Sequence, residues 1–265
     1  MADFSSIFSA IPPVTRVFLL GTAIITGPCL LQLISPADVA WSWWRITRFY
    51  EIWRPITTFF YGGGGFPLLY DFFLIYRNSS ALERDVFLND TAQYAWLHIM
   101  LGIFIHCLNI PFGLPFLFRP LLHAQTYIWC RSNATLKVSI FGLITIPTSL
   151  YPPALILLDV LTGGPTKALG GVLGVLSGHT WWYFETYLPS LAPPHLRRPN
   201  PFGTPARFRA LFSGSSPRST STAWGGSRLA PTAGATTATR TAGNNVVNEM
   251  RYRWGSGQRL GGNPL

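Results

Sequence analysis

One stretch of this sequence carries side chains that could support hydrolysis in an apolar setting. Residues 170–178 read Gly-Gly-Val-Leu-Gly-Val-Leu-Ser-Gly, and His179 follows directly. An intramembrane serine protease needs a serine on one helix within hydrogen-bond reach of a histidine on another, which takes the hydroxyl proton. His179 would suit the base. Ser177 cannot be its nucleophile, because it is nearly adjacent on the same helix. The apolar runs 94–111 and 113–130 contain no serine, and no Gly-x-Ser-Gly occurs. Metal-assisted hydrolysis fares no better, since there is no His-Glu-x-x-His. These residues therefore give no catalytic set, no metal ligands and no cofactor motif. Asp71, within the apolar stretch 66–76, is the other chemical candidate. A carboxylate in hydrocarbon should face a bundle interior or water, paired with a neighbouring histidine or protonated. It keeps a proton-coupled or solute transporter open as the alternative function. His98, His106, Gln125 and His179 join it as intramembrane polar residues, and His98, His106, His123 and Gln125 are read as interhelical hydrogen-bonders rather than metal ligands.

Such residues need an apolar frame, and the composition supplies one. Of 265 residues 48% are hydrophobic and only 11% charged, against about 25% charged in a soluble domain. The mean hydropathy is +0.27, which points to a polytopic membrane protein. Three cysteines in apolar surroundings exclude a disulfide-stapled secreted fold. The net charge of +10 is concentrated beyond residue 190, where ten arginines meet one acid, Glu249. A nearly neutral membrane body with a basic tail follows, and nucleic acid is not an expected partner.

The pattern predicts an all-α membrane protein: an amphipathic interfacial lead over 1–16, closed by Pro12-Pro13, and a six-helix membrane domain over 17–190. The spans are expected near 17–35, 59–76, 94–111, 113–130, 138–158 and 168–188. Gly62–Gly65 and Pro67 interrupt the second, Pro115, Arg119 and Pro120 break the fourth, and Pro147, Pro152 and Pro153 should kink the fifth. Both termini then share one side, and the lysine and arginine bias places that side in the cytosol. The sequons at Asn78, Asn89 and Asn133 fall there too and should stay unmodified.

Residues 36–58 interleave Trp41, Trp43, Trp44, Phe49, Tyr50 and Trp53 with Arg45, Arg48, Glu51 and Arg54. Amphipathic rings beside guanidinium groups suit the headgroup zone, so this loop is expected to lie in the membrane surface as short helices. Arg54 would bond loop carbonyls or lipid phosphate while Trp53 sets the depth. Gly170, Gly174 and Gly178, four apart, share a helix face and allow a neighbouring backbone to approach. From 191 to 249 the chain reads as a disordered basic linker, with anionic lipid heads a further partner for its arginines. Residues 250–265 form a short linear motif in which Trp254 and Leu260 flank Gly255 and Gly257.

Taken together these residues resemble a Derlin of the fungal type, a rhomboid-like pseudoprotease of the endoplasmic reticulum membrane. The resemblance rests on Ile11-Pro-Pro-Val-Thr-Arg16, Leu33-Ile-Ser-Pro36, Ile52-Trp-Arg-Pro-Ile-Thr-Thr58, Tyr76-Arg-Asn-Ser-Ser-Ala-Leu-Glu83 and Gly178-His-Thr-Trp-Trp-Tyr-Phe184. Trp53-Arg54 is similar to the family's Trp-Arg motif of the first lumenal loop. Gly174-x-x-x-Gly178 is similar to its sixth-helix glycine motif, and 254–261 to its C-terminal ATPase-binding (SHP) box. The glycine-rich run 62–65 and the middle of the tail depart from it. The resemblance implies a six-helix rhomboid-like bundle without a catalytic dyad, working in endoplasmic-reticulum-associated degradation. The implied partners are misfolded client proteins, a membrane ubiquitin ligase complex, a Cdc48-type AAA ATPase, the lipid bilayer and further copies or paralogues in an oligomer.

Overall fold

The computed structural model describes residues 10–140 and 144–212. Its first long helix, α1 (Pro13–Leu30), begins earlier than expected, with Pro12 as its N-cap and Pro13 in its first turn. Of the interfacial lead expected over 1–16, residues 1–9 lie outside the described residues. Proline suits the first helical turn, where its missing N–H leaves nothing unpaired. The orphan N–H groups of Val14 and Thr15 find a distant acceptor. The buried Glu83 carboxylate accepts from them at 3.0 and 2.9 Å, and from the Thr15 hydroxyl at 2.8 Å.

Three short helices follow, α2 (Pro36–Val39), α3 (Trp43–Phe49) and α4 (Arg54–Thr57), as the loop composition predicts. Helix α5 (Phe66–Leu74) continues through two widened π turns, Ile75–Ser79 and Leu82–Val86, so the second helical segment lies further along the chain than expected. The glycine run 62–65 stays outside it, with Gly63 and Gly65 at positive φ. Helix α6 (Thr91–Asn109) is capped by Asp90, whose carboxylate accepts from Gln93 N at 3.0 Å. Its Tyr94, Leu97, Leu101 and Ile105 fall on one face and are fully buried. Helix α7 (Phe118–Ser132) starts beyond Pro115, because Asn109 ties off the preceding turn by exchanging hydrogen bonds with Leu114.

The expected fifth span over 138–158 is corrected. Residues 137–147 form a hairpin, β1 (Lys137–Ile140) with β2 (Ile144–Pro147), antiparallel with Val138 opposite Ile146. Val138, Ile140, Ile144, Thr145 and Ile146 are β-branched, and this local preference wins over the apolar run. The fold is therefore mainly helical and not all-α. Helix α8 (Tyr151–Trp182) is two arms joined at Gly164 (φ 74, ψ −172). The prolines expected to kink it, Pro152 and Pro153, sit harmlessly in its first turn. The break belongs to Gly164-Pro165, because proline excludes the α region for the residue before it and only glycine readily adopts this φ. The second arm runs on as a π-helical extension, Tyr183–Leu191. Among the described residues, α1, α6 and the assembly Thr148–Leu191 are long and apolar enough to cross a membrane.

Of the disordered linker expected over 191–249, residues 213–249 lie outside the described residues. Residues 192–212 are described, include α9 (Ala206–Ala210), and pack through Phe202 and Phe208 on Phe104, Phe184 and Trp96. These two phenylalanines are the apolar content the compositional reading overlooked. The motif residues Trp254, Gly255, Gly257 and Leu260 lie outside the described residues.

Candidate functional site

The glycine face meets α7 at backbone distance. A Cβ on Gly174 would overlap the Pro120 carbonyl oxygen outright, and one on Gly178 would stand 2.9 Å from Ala124 O and 3.2 Å from Ala124 Cα. At Gly170 the nearest atom would be Pro120 Cδ at 3.4 Å, ordinary contact. The three spaced glycines thus share a face as expected, with the tightest approach in the middle.

That approach presses the start of α7 against α8, and the buried charges gather there. Arg119 forms ion pairs with Asp71 of α5 and Asp159 of the first arm of α8. His123 Nε2 lies 3.2 Å from the second Asp159 oxygen and Lys167 Nζ 3.9 Å from the first. The His123 Nδ1–H donates to Arg119 O at 3.0 Å. Asp71 and Asp159 are both essentially inaccessible. Asp71 therefore reaches neither a histidine nor isolation as a neutral acid: an arginine neutralises it. Asp159, Arg119, His123 and Lys167 were missed as a unit in the sequence reading. The usable signal was Asp159, an acid inside the apolar run 154–161, which invites the argument already applied to Asp71.

A cavity of about 290 Å³ opens beside this cluster, lined by Arg119, Lys167, Thr166, Tyr61, Leu114 and Phe116 among others. Gly62, Gly63 and Pro115 also line it, and the loop carrying Trp53 and Arg54 precedes Gly62 in the chain. Arg54 is 1% exposed. Its Nη1 donates to Ala37 O and Ala40 O, both at 2.7 Å, and its Nε pairs with Glu51. Of the two expected roles, loop carbonyls hold and lipid phosphate does not reach it. The loop is locked to the bundle through Pro115 O, which accepts from Trp41 N at 2.7 Å and Thr58 Oγ1 at 3.0 Å. Trp43, Trp44, Phe49, Tyr50, Ile52, Trp53 and Ile56 remain exposed on its outer side, the apolar ridge an interfacial loop requires.

The remaining polar residues fall into separate places. His98 donates Nδ1–H to Tyr94 O at 2.9 Å, so its Nε2 accepts from Gln125 Nε2 at 2.7 Å, joining α6 to α7. His106 Nε2 donates to Pro55 O at 2.9 Å and its ring lies against Trp41 and Phe59, holding α6 to the loop. His179 sits at the other end of α8, bonded to Tyr127 OH at 2.7 Å, while Ser177 Oγ donates to Leu173 O at 2.8 Å. Asn78 is buried with its amide on Thr126 Oγ1 at 2.9 Å, where no glycan could be attached.

Comparison with known proteins gives the family of the chain. A model described as the Der1-like family matches residues 11–199. Derlin-1 of Arabidopsis thaliana is 31% identical, over 72% of this chain and 72% of its own. Derlin-1 of Oryza sativa subsp. japonica is 29% identical over 71% and 78% respectively. Derlin-1.1 of Zea mays is 27% identical over 82% and 90%.

Proposed function

We propose, from the premise that this chain belongs to the Der1-like family, that it is a non-catalytic, multi-pass component of endoplasmic-reticulum-associated degradation that helps misfolded proteins return to the cytosol. Family membership over residues 11–199 carries the general role. The mechanistic part rests on one observation: a mainly apolar cavity whose wall carries Arg119, Lys167 and Thr166, near the loop that presents the exposed tryptophan ridge. A polypeptide crossing hydrocarbon leaves backbone groups unpaired at several kcal/mol each. A ridge that perturbs the headgroup zone beside Arg119, Lys167 and Thr166 would shorten that path and offer donors to carbonyls in transit.

In this reading the bundle counts six membrane helices, α1, the α5 segment, α6, α7 and the two arms of α8, with both termini in the cytosol. A membrane ubiquitin ligase complex accompanies it. The pulling force comes from a Cdc48-type AAA ATPase docked on residues 250–265, where Trp254 and Leu260 anchor and Gly255 and Gly257 let the backbone lie close. So short a contact supports micromolar affinity, roughly −8 kcal/mol.

Affinity capture of the full chain from detergent tests the assignment. The ATPase and a ligase should co-purify, and truncation at residue 249 should release the ATPase while the bundle stays folded in the membrane. ATPase capture unchanged by the truncation moves the docking site to the loops. Client turnover unaffected by deletion of the protein removes the proposed role.

A further inference from the structure

Residues 192–212 leave the last helix, turn back and lie along α6, and their inner side is built to stay there. Ala192 N donates to Tyr187 O at 2.8 Å and Arg198 N reaches Leu188 O at 3.4 Å, so the turn is made against the end of α8's extension. Phe202 then seats between Phe184 and Phe104, with ring centroids 5.0 and 5.6 Å away. Trp96 Nε1 donates to Phe202 O at 2.8 Å, Phe202 N donates to Asn200 Oδ1 at 2.8 Å, and the Asn200 amide bonds Glu185. Phe208 of α9 packs against Trp96 with ring centroids 5.2 Å apart, and Arg209 pairs with Asp90 at 3.5 Å.

Asp90 is the cap of a helix long and apolar enough to span a membrane, so it marks the level at which α6 leaves hydrocarbon. Trp96 is six residues further in, about 9 Å along the axis. The segment therefore dips below that level at Phe202 and returns to it at Arg209. Irregular backbone is tolerated at such depth only where protein satisfies it; Trp96 and the Asn200 side chain do so for Phe202, and Glu185 holds the Asn200 amide. Its outer side has a different character. Arg197, Arg198 and Arg207 are exposed, with Leu191, Leu196 and Leu211 exposed beside them at 60%, 52% and 79%. Cationic heads alternating with large apolar side chains at a helix boundary match the chemistry of an anionic lipid surface.

We infer that residues 192–212 form a re-entrant strap whose Arg197, Arg198 and Arg207 bind the headgroups of anionic phospholipid. The inner side fixes the strap, and the outer side reads the charge of the leaflet.

The test uses the full chain in nanodiscs of phosphatidylcholine alone or with phosphatidylserine, following amide hydrogen exchange of peptides covering 196–212. Each arginine near an anionic surface should shift the docking equilibrium roughly fivefold. Exchange should therefore be slower in the anionic discs by at least that factor. About 1 M salt, where the screening length falls to about 3 Å, should erase the difference. Arg197 Nε also donates to Ala192 O at 2.9 Å within the turn, so the variant is Arg198→Gln/Arg207→Gln. It should keep the wild-type rate in neutral discs and lose most of the slowing in anionic ones. Phe202→Ala should exchange faster in both, which shows that the measurement sees the seat. Equal wild-type exchange in the two lipids, or a Phe202→Ala strap no faster than wild type, overturns the inference. Neither readout depends on clients or on the ATPase, so the strap and the degradation role fail independently.

Discussion

Arg54 and Arg119 are both guanidinium groups withdrawn from solvent, and each ties three pieces of chain together with its planar array of donors. They differ in what they tie. Arg54 bonds Ala37 O, Ala40 O and Glu51, all within seventeen residues of itself, so it shapes a loop. Arg119 pairs with Asp71 and Asp159, forty-eight and forty residues away, so it joins α7 to α5 and to the first arm of α8. One is answered mainly by neutral carbonyls and the other by two buried carboxylates. Losing the first leaves acceptors that water can reach at a loop. Losing the second strands Asp71 inside the bundle and leaves Asp159 with His123 and, as ion partner, only the more distant Lys167 at 3.9 Å. The same residue type thus organises a surface in one place and a core in the other.

The largest effect is expected where that difference is greatest. Arg119→Met removes the shared partner of Asp71 and Asp159, and breaking a buried ion pair from one side typically costs about 3–5 kcal/mol. The purified protein in mild detergent should show a large fall in Tm, or fail to accumulate. Adding Asp71→Asn and Asp159→Asn to Arg119→Met should restore part of the loss, since it removes the carboxylates that Arg119 no longer answers. A triple variant no better than the single one would show that packing around the long side chain, and not its charge, is what matters.

The glycine face sharpens the same contrast, because it fixes Pro120 and His123 next to Arg119. Gly174→Ala should cost about 1–3 kcal/mol through overpacking against Pro120, with Gly178→Val in the same range or worse. Gly170→Ala should be nearly neutral, its new methyl in ordinary contact. Thermal unfolding of the three variants ranks them. Gly174→Ala and Arg119→Met should be non-additive, as expected for neighbours that share a displaced backbone.

How much of this was legible in the sequence follows from the range of the interactions. The loop announced itself: Trp53-Arg54, the aromatic interleaving and the carbonyl role of Arg54 are local. The glycine face was also legible, since a spacing of four fixes a helical face whatever lies opposite. The ion cluster was not. Asp71 stood out as a charge in hydrocarbon, but no local pattern says that an arginine at 119 and an acid at 159 come to meet it. Arg119 even read as a helix breaker. The hairpin over 137–147 and the break at Gly164-Pro165 were missed for the converse reason. Hydropathy over a window outvoted the β-branched residues in one case, and the number of prolines outvoted the single glycine–proline pair in the other.

Arg54 gives the third and smaller stability effect. Arg54→Lys keeps the charge but cannot bridge two carbonyls and a carboxylate from one planar group. It should loosen the loop by about 1–2 kcal/mol, seen as faster proteolysis within 36–58 while unfolding of the bundle shifts little.

The smallest expected change in stability comes from the residue beside it, and it decides what the pair is for. Trp53 is 51% exposed, so Trp53→Ala removes a ring that faces outward and packs little. A surface substitution of this kind should move stability by no more than about 0.5 kcal/mol. An indole in the headgroup zone nevertheless sets how deep the loop sits, so client turnover should fall in cells although protein level and Tm do not. Arg54→Ala should reduce both turnover and loop order. Together the two variants separate position from contact: Arg54 holds the loop, and Trp53 is one of the rings it presents. Normal turnover with Trp53→Ala, alongside loss with Arg54→Ala, would assign the whole motif to loop structure and leave the work at the membrane to the outer rings Trp43, Trp44 and Phe49.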